Sequence, residues 1–279
     1  MLHTKGTLLT VDVGDRTWET SRIDDVLERF IGGRGAATKL AHDRVPFDAD
    51  PLGEENRVYV SSGPLQTSQT SFTGRMNATA VSPLTNGIAS TNAGGFVSRN
   101  FVDTGHAVVE FVGSSDDLLA VHVTDDGVEF EEVPDLEEAT VKETSAAMEE
   151  RHGLGAEHLV TVGPAGENLV RYAALMTSNS RAFGRGGLGA VLGSKGVKTV
   201  SFDGDSQSVS TDGSLGIVAE GPGPGASTLG PNRTSAAGGP YNLSIDFGGS
   251  GYETAWQSYF RADGWAVSGS TATCTDVDT

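Results

Sequence analysis

Cysteine is all but missing: Cys274 is the only one in 279 residues. A single thiol makes no intrachain disulfide, no cysteine-based zinc site and no iron–sulfur cluster. Lysine is nearly as scarce, with Lys5, Lys39, Lys142, Lys195 and Lys198 the full set. Long apolar runs are missing too; none approaches the roughly eighteen residues a membrane helix needs. The opening Met1-Leu2-His3-Thr4-Lys5-Gly6 lacks the apolar stretch of a secretion signal. These absences predict a soluble, cytoplasmic chain with no membrane contact. Histidines are few and dispersed. His3, His42, His106, His122, His152 and His158 show no metal-ligand spacing, which predicts surface or structural roles. Ser62 and Ser71 have no histidine and aspartate partners in the pattern that serine hydrolysis needs.

What the chain has in surplus is acid. Its formal net charge is −18. The acids are spread among apolar segments rather than gathered in blocks, which favours a folded, salt-adapted protein over a disordered acidic one. In molar salt the Debye length falls to about 3 Å, so surface acids repel one another little. Such a surface repels nucleic acid and anionic lipid.

Periodicity places strands at 6–15, 17–20, 57–62, 70–81, 86–92, 107–112, 118–123, 128–132, 160–162, 168–176 and 197–202. Helices are expected from Ser21, as a cap, to Ile31, at 36–42, 96–103, 136–153 and 188–193. The fold class is α+β, strand-rich with a few helices. The composition changes at Asp203: beyond it there is no lysine and only Arg233 and Arg261, and no period persists. The expected domains are therefore 1–204, carrying the function, and 205–279, an irregular Gly/Ser/Thr-rich tail, disordered or frameshifted.

Four glycine-rich segments stand out: 32–35, 92–95, 163–166 and 181–187. Glycine lets backbone N–H groups approach a ligand and take positive φ, and successive N–H groups form anion-binding concavities. Each alone reads more simply as an ordinary turn. In a chain this short of positive charge, Arg75, Arg181 and Arg185 all fall beside such turns. Arginine suits bidentate phosphate binding; the competing reading pairs each with a surface acid. The spacing of Gly184-Arg185-Gly186-Gly187-Leu188-Gly189 does not fit a dinucleotide-binding turn.

Seven segments occur in order: Ile31-Gly32-Gly33-Arg34-Gly35, Ser62-Gly63-Pro64-Leu65, Thr73-Gly74-Arg75-Met76-Asn77, Ser82-Pro83-Leu84-Thr85, Asn92-Ala93-Gly94-Gly95, Gly163-Pro164-Ala165-Gly166-Glu167-Asn168 and Arg181 to Lys195. Together they resemble the amino-terminal domain of the tungsten-containing aldehyde:ferredoxin oxidoreductases, over roughly residues 5–202. The resemblance implies a base of two β-sheets carrying a tungsten bis-molybdopterin, with no side chain on the metal. It implies a magnesium ion between the pterin phosphates, held by the backbone carbonyls of Asn92 and Ala182. It places Arg75 between a pterin and the iron–sulfur cluster, and Gly94, Arg181, Gly184 and Arg185 against pterin and phosphate groups. The family activity would be oxidation of an aldehyde to a carboxylic acid, with ferredoxin as acceptor.

The departures shape the functional expectation. The family's 4Fe-4S cysteines and its proton-transfer residues lie in later domains, and none of that pattern is present here. The cluster is expected to be absent, no catalytic residue is assigned, and a truncated or frameshifted product is expected. The chain alone would then be inactive, with a separate chain as a partner that supplies the missing domains. The alternatives are a non-catalytic pterin-binding module, an inactive remnant, or a domain for a different phosphate ligand.

Overall fold

A computed structural model describes residues 3–67, 74–206, 210–212, 217–220, 241–245, 265–268 and 271–274. The strands in chain order are β1 (His3–Lys5), β2 (Thr7–Asp12), β3 (Thr17–Arg22), β4 (Val58–Ser62), β5 (Arg75–Val81), β6 (Ile88–Gly94) and β7 (Val108–Val112). They continue with β8 (Leu119–Val123), β9 (Val128–Glu132), β10 (Leu159–Val162), β11 (Leu175–Thr177), β12 (Arg181–Phe183) and β13 (Val197–Phe202). The helices are α1 (Asp24–Phe30), α2 (Gly33–Arg44), α3 (Val97–Asp103), α4 (Val141–His152), α5 (Pro164–Glu167) and α6 (Leu188–Gly193).

Two six-stranded mixed sheets result. The first runs β3-β2-β7-β4-β5-β6 and the second β9-β8-β13-β10-β11-β12. Written this way the two orders are the same. Each has its one parallel pair in the same place, β2 with β7 and β8 with β13, and every other neighbour is antiparallel. Residues 7–112 build the first sheet and 119–202 the second.

Alternation along the strands decides what faces what. Leu9 and Val11 of β2, Val58 and Val60 of β4, Leu119 and Val121 of β8, and Val160 and Val162 of β10 share one core with α3 and α6. The alternate residues face outward. Leu8, Tyr59 and Val108 pack under α1 and α2, and Ala120 and Leu159 pack under Met148 of α4. The fold is α+β with two sheets, as expected.

The outer face of the first sheet holds a fully buried acid. Glu110 accepts from Arg57 Nη1 at 2.9 Å, Arg44 Nη1 at 3.1 Å and Thr10 Oγ1 at 3.0 Å. Paired in this way, the charge is tolerable in the interior. Two of the five lysines are also buried. Lys195 Nζ donates to Gly113 O (3.0 Å) and Glu54 O (3.3 Å). Lys198 Nζ donates to Ala139 O (2.7 Å) and to Glu167 Oε1, so Glu167 has a structural role.

Several element boundaries differ from expectation. Ser21 lies in β3, opposite Leu8, and α1 begins at Asp24 with no side-chain cap; Asp24 and Asp25 supply negative charge to its first turn, which the helix dipole favours. Helix α2 begins at Gly33 rather than at 36. Helix α4 begins at Val141, because Thr140 and Glu143 form a reciprocal capping box there that satisfies the first free N–H groups. Residues 168–176 are mostly turn, with strand only from Leu175. Part of the expected strand at 70–81 falls outside the described residues.

The chain divides into two compact units, one of them 3–67 with 74–212. That unit ends on β14 (Ser210–Asp212), antiparallel to β1. The other contains an antiparallel sheet β15-β16-β18-β17, made of β15 (Ile217–Glu220), β16 (Tyr241–Ile245), β17 (Trp265–Ser268) and β18 (Thr271–Cys274). The remainder of 205–279, on which the disorder expectation falls, lies outside the described residues.

Candidate functional site

Strands β6 and β12 are the corresponding edges of the two sheets, and they approach one another. Chain direction places the marked residues here. Arg75 opens β5 and stands opposite Gly94 at the end of β6, with Asn77 opposite Asn92. Past Gly94 the chain turns through Gly95 at φ +125° into α3. In the second half, Arg181, Ala182 and Phe183 form β12, and the turn through Gly186 (φ +81°) and Gly187 (φ +70°) enters α6. So 92–95 and 181–187 are equivalent places in the two halves.

The two edges touch through Arg181. A Cβ at Gly94 would lie 3.4 Å from Arg181 Nη1. One at Gly95 would lie 3.0 Å from Arg181 Cδ and 3.1 Å from Ser178 Oγ. That hydroxyl is buried and has no partner among the described residues. A Cβ at Gly186 would fall 2.6 Å from that of Ala89 on β6. The glycines thus let the β12 turn close onto β6. Around Gly184 there is open space; a Cβ there would meet only that of Ala182, at 4.0 Å. Arg75, Asn92, Arg181, Gly184 and Arg185 are exposed, and Gly94 and Ala182 are half-buried.

A polar ladder fixes Asn92. The Asn77 amide lies 2.8 Å from Asn92 Oδ1, 2.8 Å from Ser90 Oγ and 3.0 Å from Thr91 O. Thr79 Oγ1 donates to Asn77 Oδ1 at 2.8 Å. The buried amide is locked by its hydrogen bonds, and with it the side chain of Asn92.

Arg16, Arg22, Arg44, Arg57 and Arg151 hold carboxylates elsewhere. Arg75, Arg181 and Arg185, like Arg29, Arg34, Arg99 and Arg171, have no ion-paired acid among the described residues. A sequence signal marks this region: no Asp or Glu occurs between Glu55 and Asp103, or between Glu167 and Asp203. The first acid-free stretch contains β4, β5, β6 and α3 up to its last residue, Asp103; the second contains β11, β12, α6 and β13. Positive groups without acid partners attract anions.

Over residues 8–204 the chain matches the N-terminal domain of aldehyde ferredoxin oxidoreductase. It belongs to that family. It is 35% identical to the tungsten-containing aldehyde ferredoxin oxidoreductase of Thermococcus kodakarensis, over 65% of this chain and 30% of that one. The similarity extends to an aliphatic sulfonate oxidoreductase, WOR-like subunit, of Pyrococcus furiosus, at 30% identity over 70% of this chain and 34% of its relative. Among solved structures, the active-site complex BamBC of benzoyl coenzyme A reductase aligns with a TM-score of 0.69 at 29% identity, covering 73% of this chain and 31% of that chain. The chain spans about a third of the length of these relatives.

Not every glycine segment of this family member reaches the site. Gly166 is a packing glycine: a Cβ there would sit 2.7 Å from Gly189 O, and one at Gly193 only 2.3 Å from Gly166 O. The segment 163–166 therefore lets α5 and α6 touch and is not an anion turn. Gly32 approaches a different turn, its Cβ position 3.0 Å from Ser62 O. Asn77 and Ser178 take part in the site without having been singled out for it.

Proposed function

We propose that the β6–β12 edge binds a tungsten bis-molybdopterin cofactor through its phosphates. The observation that carries this reading is the set of Arg75, Arg181 and Arg185, without acid partners among the described residues and in acid-free stretches of a chain of net charge −18. The fit is supported by the unpartnered Ser178 hydroxyl and by the glycines at 94, 95 and 184, which leave room for a ligand beside the arginines.

The residue roles follow from their chemistry. Arg181 and Arg185 would donate charge-assisted hydrogen bonds to phosphate oxygens. Arg75 would do the same toward a pterin. The carbonyls of Asn92 and Ala182 would serve a magnesium ion, which takes oxygen ligands; Asn77 holds the Asn92 residue in place for this. When bound, the tungsten centre supplies two-electron redox chemistry. This chain's residues bind and orient it, and none of them is assigned as catalyst.

The reaction proposed for the assembled enzyme is aldehyde and water to carboxylic acid, with two electrons passed to ferredoxin. One cysteine cannot ligate a 4Fe-4S cluster, so cluster and substrate residues would come from outside the matched region. A non-catalytic pterin-binding module is the second reading, favoured by the lack of any acid or histidine among the site residues. The acid surplus supports a salt-rich working environment.

The deciding experiment is metal and pterin analysis of the purified chain from a host that makes the cofactor. Tungsten or molybdenum with pterin and no iron is expected. Absence of both metal and pterin would overturn the assignment.

A further inference from the structure

The histidines, dispersed in sequence, are not all dispersed in space. His122 lies on β8, Glu131 on β9, and His152 is the last residue of α4. They gather at the edge of the second sheet opposite β12. Glu131 Oε2 is 3.3 Å from His122 Nε2 and 2.8 Å from His152 Nε2. The three ligand atoms all lie within 4.8 Å of one another, and among the described residues no other three such side chains converge. The two rings lie close, with centroids 4.6 Å apart and planes inclined at 53°.

We propose that His122, Glu131 and His152 form a binding site for one zinc-class divalent cation, which ties the end of α4 to the β8–β9 hairpin. Two ligands on a tetrahedral zinc ion, each at about 2.0–2.1 Å, lie roughly 3.3 Å apart. The His122–Glu131 separation already has that value. His152, half-exposed at a helix end, is free to adjust its ring to the same spacing. Two imidazole nitrogens select zinc, cobalt or nickel over magnesium and calcium.

The surroundings are those of an oriented ligand set. The other nitrogen of His122 is held by Ser201 Oγ at 2.8 Å. The other carboxylate oxygen, Glu131 Oε1, accepts from Arg151 Nη1 at 3.0 Å, leaving Oε2 toward both rings. Three protein ligands leave a fourth position for water. The neighbouring guanidinium of Arg151 weakens affinity, so the site is a modest binder rather than a zinc trap. Without a cation, both imidazoles share one carboxylate oxygen; a cation would take a lone pair from each ring.

The test is calorimetric titration of the full chain with Zn2+, and with Co2+ for its visible absorption. One Zn2+ per chain is expected, with a Co2+ spectrum of low-symmetry, four-coordinate type. His152→Ala and Glu131→Gln should each weaken Zn2+ binding at least tenfold, while His42→Gln, at an exposed histidine beside Asp43, should not. His152 is half-exposed, so its loss is not expected to unfold the chain, and circular dichroism checks this for both variants. Failure of the wild-type chain to bind Zn2+ overturns the proposal, as does wild-type affinity in both folded variants.

Discussion

The stem of Arg181 lies across Gly95: Cδ comes within 3.0 Å of the place a β-carbon would take. Gly95 is also at φ +125°, a backbone conformation that L side chains avoid. Gly95→Ala is therefore expected to cost about 1–3 kcal/mol and to push Arg181 from its seat. Urea unfolding measures the first effect and pterin content the second. Gly94→Ala, with 3.4 Å to Arg181 Nη1 and an ordinary φ, should leave the unfolding midpoint nearly unchanged.

Arg181→Ala and Arg185→Ala should each reduce retained pterin roughly tenfold or more, since a charged hydrogen bond contributes about 1.5–3 kcal/mol. Both side chains are exposed and without an acid partner among the described residues, so unfolding midpoints should not move. Arg22→Ala, whose guanidinium already holds Asp24 at 2.8 Å, is the control and should retain the pterin. Fluorescence of the oxidised, extracted pterin provides the readout. Equal retention in all three variants would count against the arginine roles.

Glu110→Gln removes the charge that Arg44 and Arg57 share in the outer core. Breaking a buried pair costs about 3–5 kcal/mol, and both arginines are about one-third exposed, so about 2–3 kcal/mol is expected. The same solvent access leaves each guanidinium partly hydrated. The denaturant midpoint should fall with no change in pterin content in surviving folded protein, because Glu110 is remote in sequence pairing from β6 and β12.

Acid sensitivity should trace in part to His106. Burial pushes its pKa down to about 4, below the unfolded value near 6.5. Between those two pH values the unfolded chain takes up a proton that the folded chain refuses. Stability therefore falls as pH drops from about 6.5 to about 4, by up to about 3 kcal/mol, and is unaffected by this group above 6.5. His106→Gln should flatten that part of the stability–pH curve, measured by urea midpoints at stepped pH.

Much of the architecture was legible where one period ruled a segment. Thr7 to Asp12 and Leu119 to Val123 are short apolar-rich runs bounded by turn residues, and both are strands with one face in the shared core. Reading failed where two signals competed. Ser21 has the chemistry of a helix cap, but pairing with Leu8 kept it in the hairpin. The apolar residues between Asn168 and Met176 suggested a strand, yet Leu169 takes φ +54° and the segment turns. Glycine was the most ambiguous letter. At Gly95 it admits an arginine stem, at Gly166 a neighbouring helix, and only spatial neighbours tell these apart. The arginine positions were readable because cations are rare here. The convergence of His122 and His152 was not, since β8 and α4 are brought together only by the tertiary fold.

The shared strand order also makes the two halves alike in plan. Each half is one continuous run of chain, and its apolar sheet face is covered by the other half together with α3 and α6. Either half alone would leave much of that face bare to water. Gly113 to Ser115, pinned from both sides by Lys195, then marks the join between the halves. Separately expressed halves cut at that join should still find each other.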